Sequence, residues 1–115
     1  MKEIVPVINA SQLDAPDSLS ALDMACRNGG IFQIIEHGID QSVLDRVFEC
    51  MGGFFSQSTS EKRKIERTGD NPWGFYDREL TKNTPDWKEV YDFGPADGAL
   101  LKPQWPRHPQ GFESV

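Results

Sequence analysis

Five residues, Ile31-Phe32-Gln33-Ile34-Ile35, are the most hydrophobic stretch of the chain, and turn signals bracket them: Asn28-Gly29-Gly30 before, Glu36-His37-Gly38 after. A run this short and this rich in β-branched residues reads as a buried strand. Both flanks read as helices. From about Asp17 to Asn28, Leu19, Leu22, Ala25 and Cys26 share one face. The glycine pair stops that helix, because glycine takes the left-handed position after a last turn at little cost. From about Ser42 to Phe55, Leu44, Val47, Phe48, Met51 and Phe55 form an apolar stripe with Phe54 at its margin. Three helices and about four strands in all are expected to make a small α+β layer. The chain's 115 residues hold one domain at most.

The other elements are shorter. Ile4-Val5-Pro6-Val7-Ile8 is β-branched, but Pro6 removes a ladder donor and predicts an edge strand or a strand start. Asn9 to Pro16 reads as a loop. Gly52-Gly53 predicts close packing or early fraying at the end of the second helix. Ser58-Thr59-Ser60-Glu61 fits a capping box, with Ser58 as N-cap and Glu61 at the third position. It opens a short third helix carrying Lys62, Arg63, Lys64, Glu66 and Arg67. Those charges read as a solvated face, with Lys62 and Glu66 paired one turn apart, rather than as an anion site. Trp73-Gly74-Phe75-Tyr76 reads as an irregular strand, and a turn-rich loop follows it to Pro85. Trp87 to Phe93 reads as another strand with its faces unassigned: Glu89, Tyr91 and Phe93 alternate with Lys88, Val90 and Asp92. From Gly94 to Val115, Pro95, Pro103, Pro106 and Pro109 break every period, yet Leu100, Leu101, Trp105, Phe112 and Val115 are apolar. A disordered tail is polar and poor in aromatics, so these groups need a surface to cover.

Composition and motif content remove several functions. Twelve Lys and Arg against eighteen Asp and Glu leave a net charge of -6. That argues against nucleic acid, whose binding rests on cationic contacts to phosphates, and against anionic membrane surfaces. Mean hydropathy is -0.54, and no run approaches the ~20 apolar residues of a spanning helix. Met1-Lys2-Glu3-Ile4-Val5-Pro6 holds no long apolar signal region, and a cytoplasmic location is expected. Cys26 and Cys50 lie on helical stripes and read as buried, reduced thiols. No C-x-x-C spacing points to zinc or thiol redox chemistry. Phosphate-loop, dinucleotide-binding, nucleophile-elbow and H-E-x-x-H motifs are all missing. A facial-triad iron site takes two histidines and a carboxylate. Two places after His37 and His108 stand Ile39 and Gln110, so neither histidine fits, and His37 reads as a hydrogen-bonded turn residue. No catalytic residue and no metal ligand is assigned, and Glu89 and Asp92 receive no acid–base role. Tyr76 stands beside Gly74, where backbone or ligand can approach closely. It reads as a sheet aromatic or as a binding residue.

Several stretches, taken in order, carry a resemblance. Val5-Pro6-Val7-Ile8-Asn9 looks like an opening strand motif, and Ala25 to Ile39 like an "AC…GFFQ…NHG" signature. Phe54-Phe55 with Ser60-Glu61-Lys62 looks like "FF…P.EEK". Trp73 to Tyr76 and Asp86 to Phe93 look like a glycine-aromatic motif and "D.KE.F.F", and Gln104-Trp105-Pro106 with Gly111-Phe112 like the segment after them. The ordered set resembles the N-terminal region of the isopenicillin N synthase-like, 2-oxoglutarate- and Fe(II)-dependent non-haem oxygenases. Asn9, Ile31, Glu36 and Phe75 are mild departures, standing where the family favours Asp, Phe, Asn and Tyr.

The resemblance implies that residues 1–96 are a non-haem dioxygenase N-terminal domain. Residues 97–115 would be a Pro-rich extended segment leading to a jelly-roll (double-stranded β-helix) core absent from this chain. That core would carry the His-x-Asp…His iron triad and the Arg-x-Ser that holds 2-oxoglutarate. The chain is therefore expected to bind neither Fe(II) nor 2-oxoglutarate and to be inactive alone. It would contribute packing and part of the substrate mouth, with Tyr76 as the substrate contact. Its implied partners are a missing or separate oxygenase core and the full enzyme's small-molecule substrate. The alternative is a non-enzymatic short paralogue that binds a partner or caps an oxygenase core, an idea motivated by the apolar tail.

Overall fold

The computed structural model describes residues 5–96 and 101–115. Ile4 and Leu100, counted above in the first strand and the tail, lie outside them. The chain divides into two compact units, Met1–Asp40 and Gln41–Val115. No helix among the described residues is long and apolar enough to cross a membrane.

The first unit holds β1 (Val7–Asn9), a 3-10 turn (Ala10–Gln12), α1 (Pro16–Asn28) and β2 (Gln33–Ile35). β1 starts directly after Pro6, whose carbonyl accepts the Gln33 N–H at 2.8 Å. Proline thus sits where its missing donor costs nothing. The two strands pair in parallel, with Val7, Ile8 and Asn9 opposite Gln33, Ile34 and Ile35. The segment read as a loop after β1 holds the 3-10 turn, capped by Asn9 Oδ1, which accepts the Ser11 N–H at 3.0 Å. Pro16 occupies the first helical position of α1, where an N–H would go unused. At the other end the Gly29 and Gly30 N–H groups both reach the Ala25 carbonyl, and Gly30 takes φ 68°.

Ala25 and Ile8 are buried, but the expected burial of β2 is not found. Ile34 and Ile35 remain 50% and 47% exposed, and Ile31, Leu19 and Cys26 are exposed as well. β1 and β2 form a two-stranded sheet. Parallel strands are built for burial on both faces, and this pair has too few neighbours to supply it.

The second unit holds α2 (Gln41–Phe55), α3 (Thr59–Lys62), a 3-10 turn (Arg63–Ile65), β3 (Gly74–Tyr76), β4 (Leu80–Thr81), β5 (Thr84–Pro85), β6 (Val90–Asp92) and a last 3-10 turn (Phe112–Ser114). Its core is Cys50, Phe54, Phe75 and Phe112, flanked by Phe55, Ile65, Tyr91 and Trp105. Phe54, placed by periodicity at the margin of the α2 stripe, is at the centre, whereas Phe48 is 70% exposed. The apolar arc of α2 is wider than the core it meets. α2 runs through both glycines to Phe55 without fraying, and a Cβ on Gly53 would lie 3.4 Å from Pro109 Cγ, so close packing explains that glycine.

β3 and β6 pair antiparallel, with Gly74, Phe75 and Tyr76 opposite Asp92, Tyr91 and Val90. The faces of β6 are thereby settled. The Tyr91 ring sits 4.9 Å from Phe54, and Phe93 packs on Trp105 and Phe112. The turn-rich loop before β6 contains a hairpin, Leu80 and Thr81 opposite Pro85 and Thr84. Lys82 and Asn83 take φ 51° and 61° at its tip, the positive pair a type I′ turn requires. The apolar tail returns to its own unit. Gln104 Nε2 donates to the Glu66 and Trp73 carbonyls at 3.0 and 2.9 Å, and the Tyr91 hydroxyl donates to the Gln104 carbonyl at 2.6 Å. Burial, with the charge of Glu113 second, pushes the Tyr91 phenol well above its ordinary range, so it remains a donor.

Gly74 decides whether these pieces can meet. It adopts φ 128°, and a Cβ there would collide with the Ile65 carbonyl and stand 2.8 Å from Gln104 Nε2 and 3.0 Å from Arg67 N. Gly74→Ala should destabilise the chain by about 3 kcal/mol in urea denaturation. Gly52→Ala, whose Cβ meets nothing within 4 Å, should stabilise it by about 1 kcal/mol. Equal effects at the two positions would contradict this packing.

Candidate functional site

Gly74 also builds the surroundings of Tyr76. Because the 3-10 turn and its exit come in against β3, Phe75 bridges to Glu66, and the Arg67 N–H donates to the Phe75 carbonyl at 3.0 Å. Arg67 then stacks on Tyr76, its guanidinium carbon 3.6 Å from the ring centre. Arg78, two residues along on the same side of the chain, comes within 5.6 Å of the same ring. One carboxylate completes the cluster: Glu66 pairs with Arg78 at 2.6 Å. Asp77, between Tyr76 and Arg78, pairs with Arg63 at 2.8 Å. The second oxygen of Asp77, Oδ1, is buried and has no hydrogen-bond partner. Neither a carboxylate for Arg67 nor a hydrogen-bond partner for the Tyr76 phenol is found among the described residues. One face of Tyr76 is therefore taken by Arg67. Its phenol is the polar group of this cluster that keeps no partner among the described residues.

A second arrangement departs from the sequence reading. Lys62 does not lie on a solvated face paired with Glu66. It is 5% exposed, and Nζ donates to both Glu89 oxygens at 2.8 and 2.7 Å and to the Phe55 carbonyl at 3.2 Å. It also lies 5.5 Å from the Phe75 ring centre. Ser58 does cap α3, accepting the Glu61 N–H at 3.3 Å. The Glu61 carboxylate turns to Lys64 at 2.7 Å instead of back to the cap, so half of the capping box forms. Lys62 and Glu89 both fall in stretches that carry the resemblance, Ser60 to Lys62 and Asp86 to Phe93. That shared membership was the signal that could have joined them.

Among the described residues no three His, Cys, Asp or Glu side chains come together in a way that could hold a metal ion. His37 spends Nδ1 accepting the Ile39 N–H at 3.0 Å, as a turn residue does.

Residues 5–108 match the family described as "non-haem dioxygenase in morphine synthesis N-terminal". The chain belongs to this family, the N-terminal domain of the non-haem, 2-oxoglutarate- and Fe(II)-dependent dioxygenases. It is 33% identical to homoarginine-6-hydroxylase 2-ODD-C23.1 of Arabidopsis thaliana, over 96% of this chain and 41% of that protein. It is 34% identical to thebaine 6-O-demethylase of Papaver somniferum, over 77% and 27%, and 29% identical to flavone synthase of Petroselinum crispum, over 96% and 33%. The chain thus spans between 27% and 41% of the length of these relatives. The described residues do not fit the iron that the family uses, and no step of its chemistry is assigned to them.

Within this dioxygenase domain the Lys62–Glu89 pair should be stabilising mainly as a pair. Breaking a buried pair costs about 3–5 kcal/mol, and Glu89, 34% exposed, lowers that figure through solvent screening. Glu89→Ala should cost about 2 kcal/mol by urea denaturation. Adding Lys62→Met should recover most of the loss. A double variant no more stable than the single one would show that the ammonium was never stranded.

Proposed function

We propose that this chain is the N-terminal, non-catalytic portion of a 2-oxoglutarate- and iron-dependent oxygenase acting on a small molecule. The iron and 2-oxoglutarate ligands would lie on a jelly-roll core outside it. The observation that carries this reading is the open sheet of the first unit. β1 and β2 expose Val7, Ile34 and Ile35, in a parallel pair that needs further strands and a cover. A β-rich core supplies both. In that setting Tyr76 contacts the substrate through its phenol and ring edge, since Arg67 occupies one ring face. Cytoplasmic location belongs to the same proposal, and two unpaired cysteines suit a reducing compartment.

The capping-module reading drew on the apolar tail. Trp105 and Phe112 pack into the core of their own unit, while Leu101 and Val115 stay exposed, so only part of the tail favours that second reading. In this proposal the pure 115-residue chain, given Fe(II), ascorbate and 2-oxoglutarate, releases no succinate above a protein-free blank. Succinate release that scales with chain concentration would overturn it.

A further inference from the structure

Between the α3 region and the returning tail lies a cavity of about 190 Å³. Its apolar walls are Ile65, Trp105 and Pro106, and its polar rim is Gln57, Glu61, Lys64, Arg107 and His108. The walls are held in place. The Trp105 ring packs 5.3 Å from Phe93 and 6.1 Å from Phe112. Gln57 Nε2 anchors the rim by donating to the His108 carbonyl at 2.7 Å. An apolar cavity of roughly 150 Å³ accommodates benzene, so this one has room for a single six-membered ring and a small substituent.

The rim charge selects the substituent. Glu61 neutralises Lys64 at 2.7 Å. Arg107 has no carboxylate partner among the described residues, although the chain carries a net charge of -6. A guanidinium without a carboxylate partner, lining a cavity with one apolar side, favours a planar anion, which it can hold with two parallel hydrogen bonds. We propose that this cavity is a binding site for a monocyclic aromatic carboxylate, its ring against Trp105 and its carboxylate on Arg107. The site uses none of the Tyr76 cluster and does not depend on the oxygenase reading.

Benzoate and its neutral counterpart benzamide, titrated separately into the ¹⁵N-labelled 115-residue chain, test this by the shift of the Trp105 indole N–H. Benzoate should move that signal saturably, and benzamide should bind about tenfold more weakly, the value of one charge-assisted contact. Arg107→Gln, at an exposed position, should keep a dispersed spectrum and weaken benzoate by about tenfold. Equal binding of acid and amide, unchanged affinity in Arg107→Gln, or no saturable movement of Trp105 would each overturn the assignment.

Discussion

The Phe54 ring is what the second unit is assembled around. It meets Phe55 at 5.1 Å, Phe75 at 6.0 Å and Tyr91 at 4.9 Å, tying α2 to β3 and β6 in one contact set. The tail joins the set when Phe112 packs on Tyr91 at 5.6 Å. Edge-to-face and tilted pairs of this kind add to the simple burial of apolar area. A chain this short has few buried apolar side chains, and in this unit they are Cys50, Phe54, Phe75 and Phe112, from α2, β3 and the tail. Several of the polar groups brought in beside it are answered locally. Lys62 is answered by Glu89 and the Phe55 carbonyl, and the Glu66 and Trp73 carbonyls by Gln104.

That packing also positions the Tyr76 cluster. Gly74 allows the Ile65–Arg67 backbone to lie against β3, so the next residue but one on the strand falls under a guanidinium rather than facing open solvent. Core, close approach and cluster are thus links of one chain of causes, running from a glycine to the geometry a ligand would meet.

Local pattern foretold local structure. Both long helices appear within one residue of their sequence-read limits, and Pro6 and Gly30 play the parts their backbone chemistry allows. The short segments were harder. The Lys82-Asn83 hairpin went unread because neither turn residue is glycine. Lys62 was read as solvated because its partner Glu89 is 27 residues away, beyond any helical spacing. Burial was the least legible property. The apolar stripe named on α2 includes exposed Phe48 and Met51, and the strand named as buried is open. Periodicity reports which face is apolar and not what covers it. Tyr76 was singled out for its neighbour Gly74, and that glycine does admit backbone; the arginines around the ring left no trace in the pattern.

Exposed Ile34, Ile35 and Phe48 take on a common sense if the chain is the front of a longer dioxygenase, whose core would cover apolar surface that the chain itself cannot. The most direct measurement is the intact mass of the native product in its source cells, detected with an antibody raised to residues 41–96. The account predicts a species far heavier than 13.0 kDa, with a His-x-Asp…His pattern in the sequence that follows Val115. A product that runs at 13.0 kDa would contradict it.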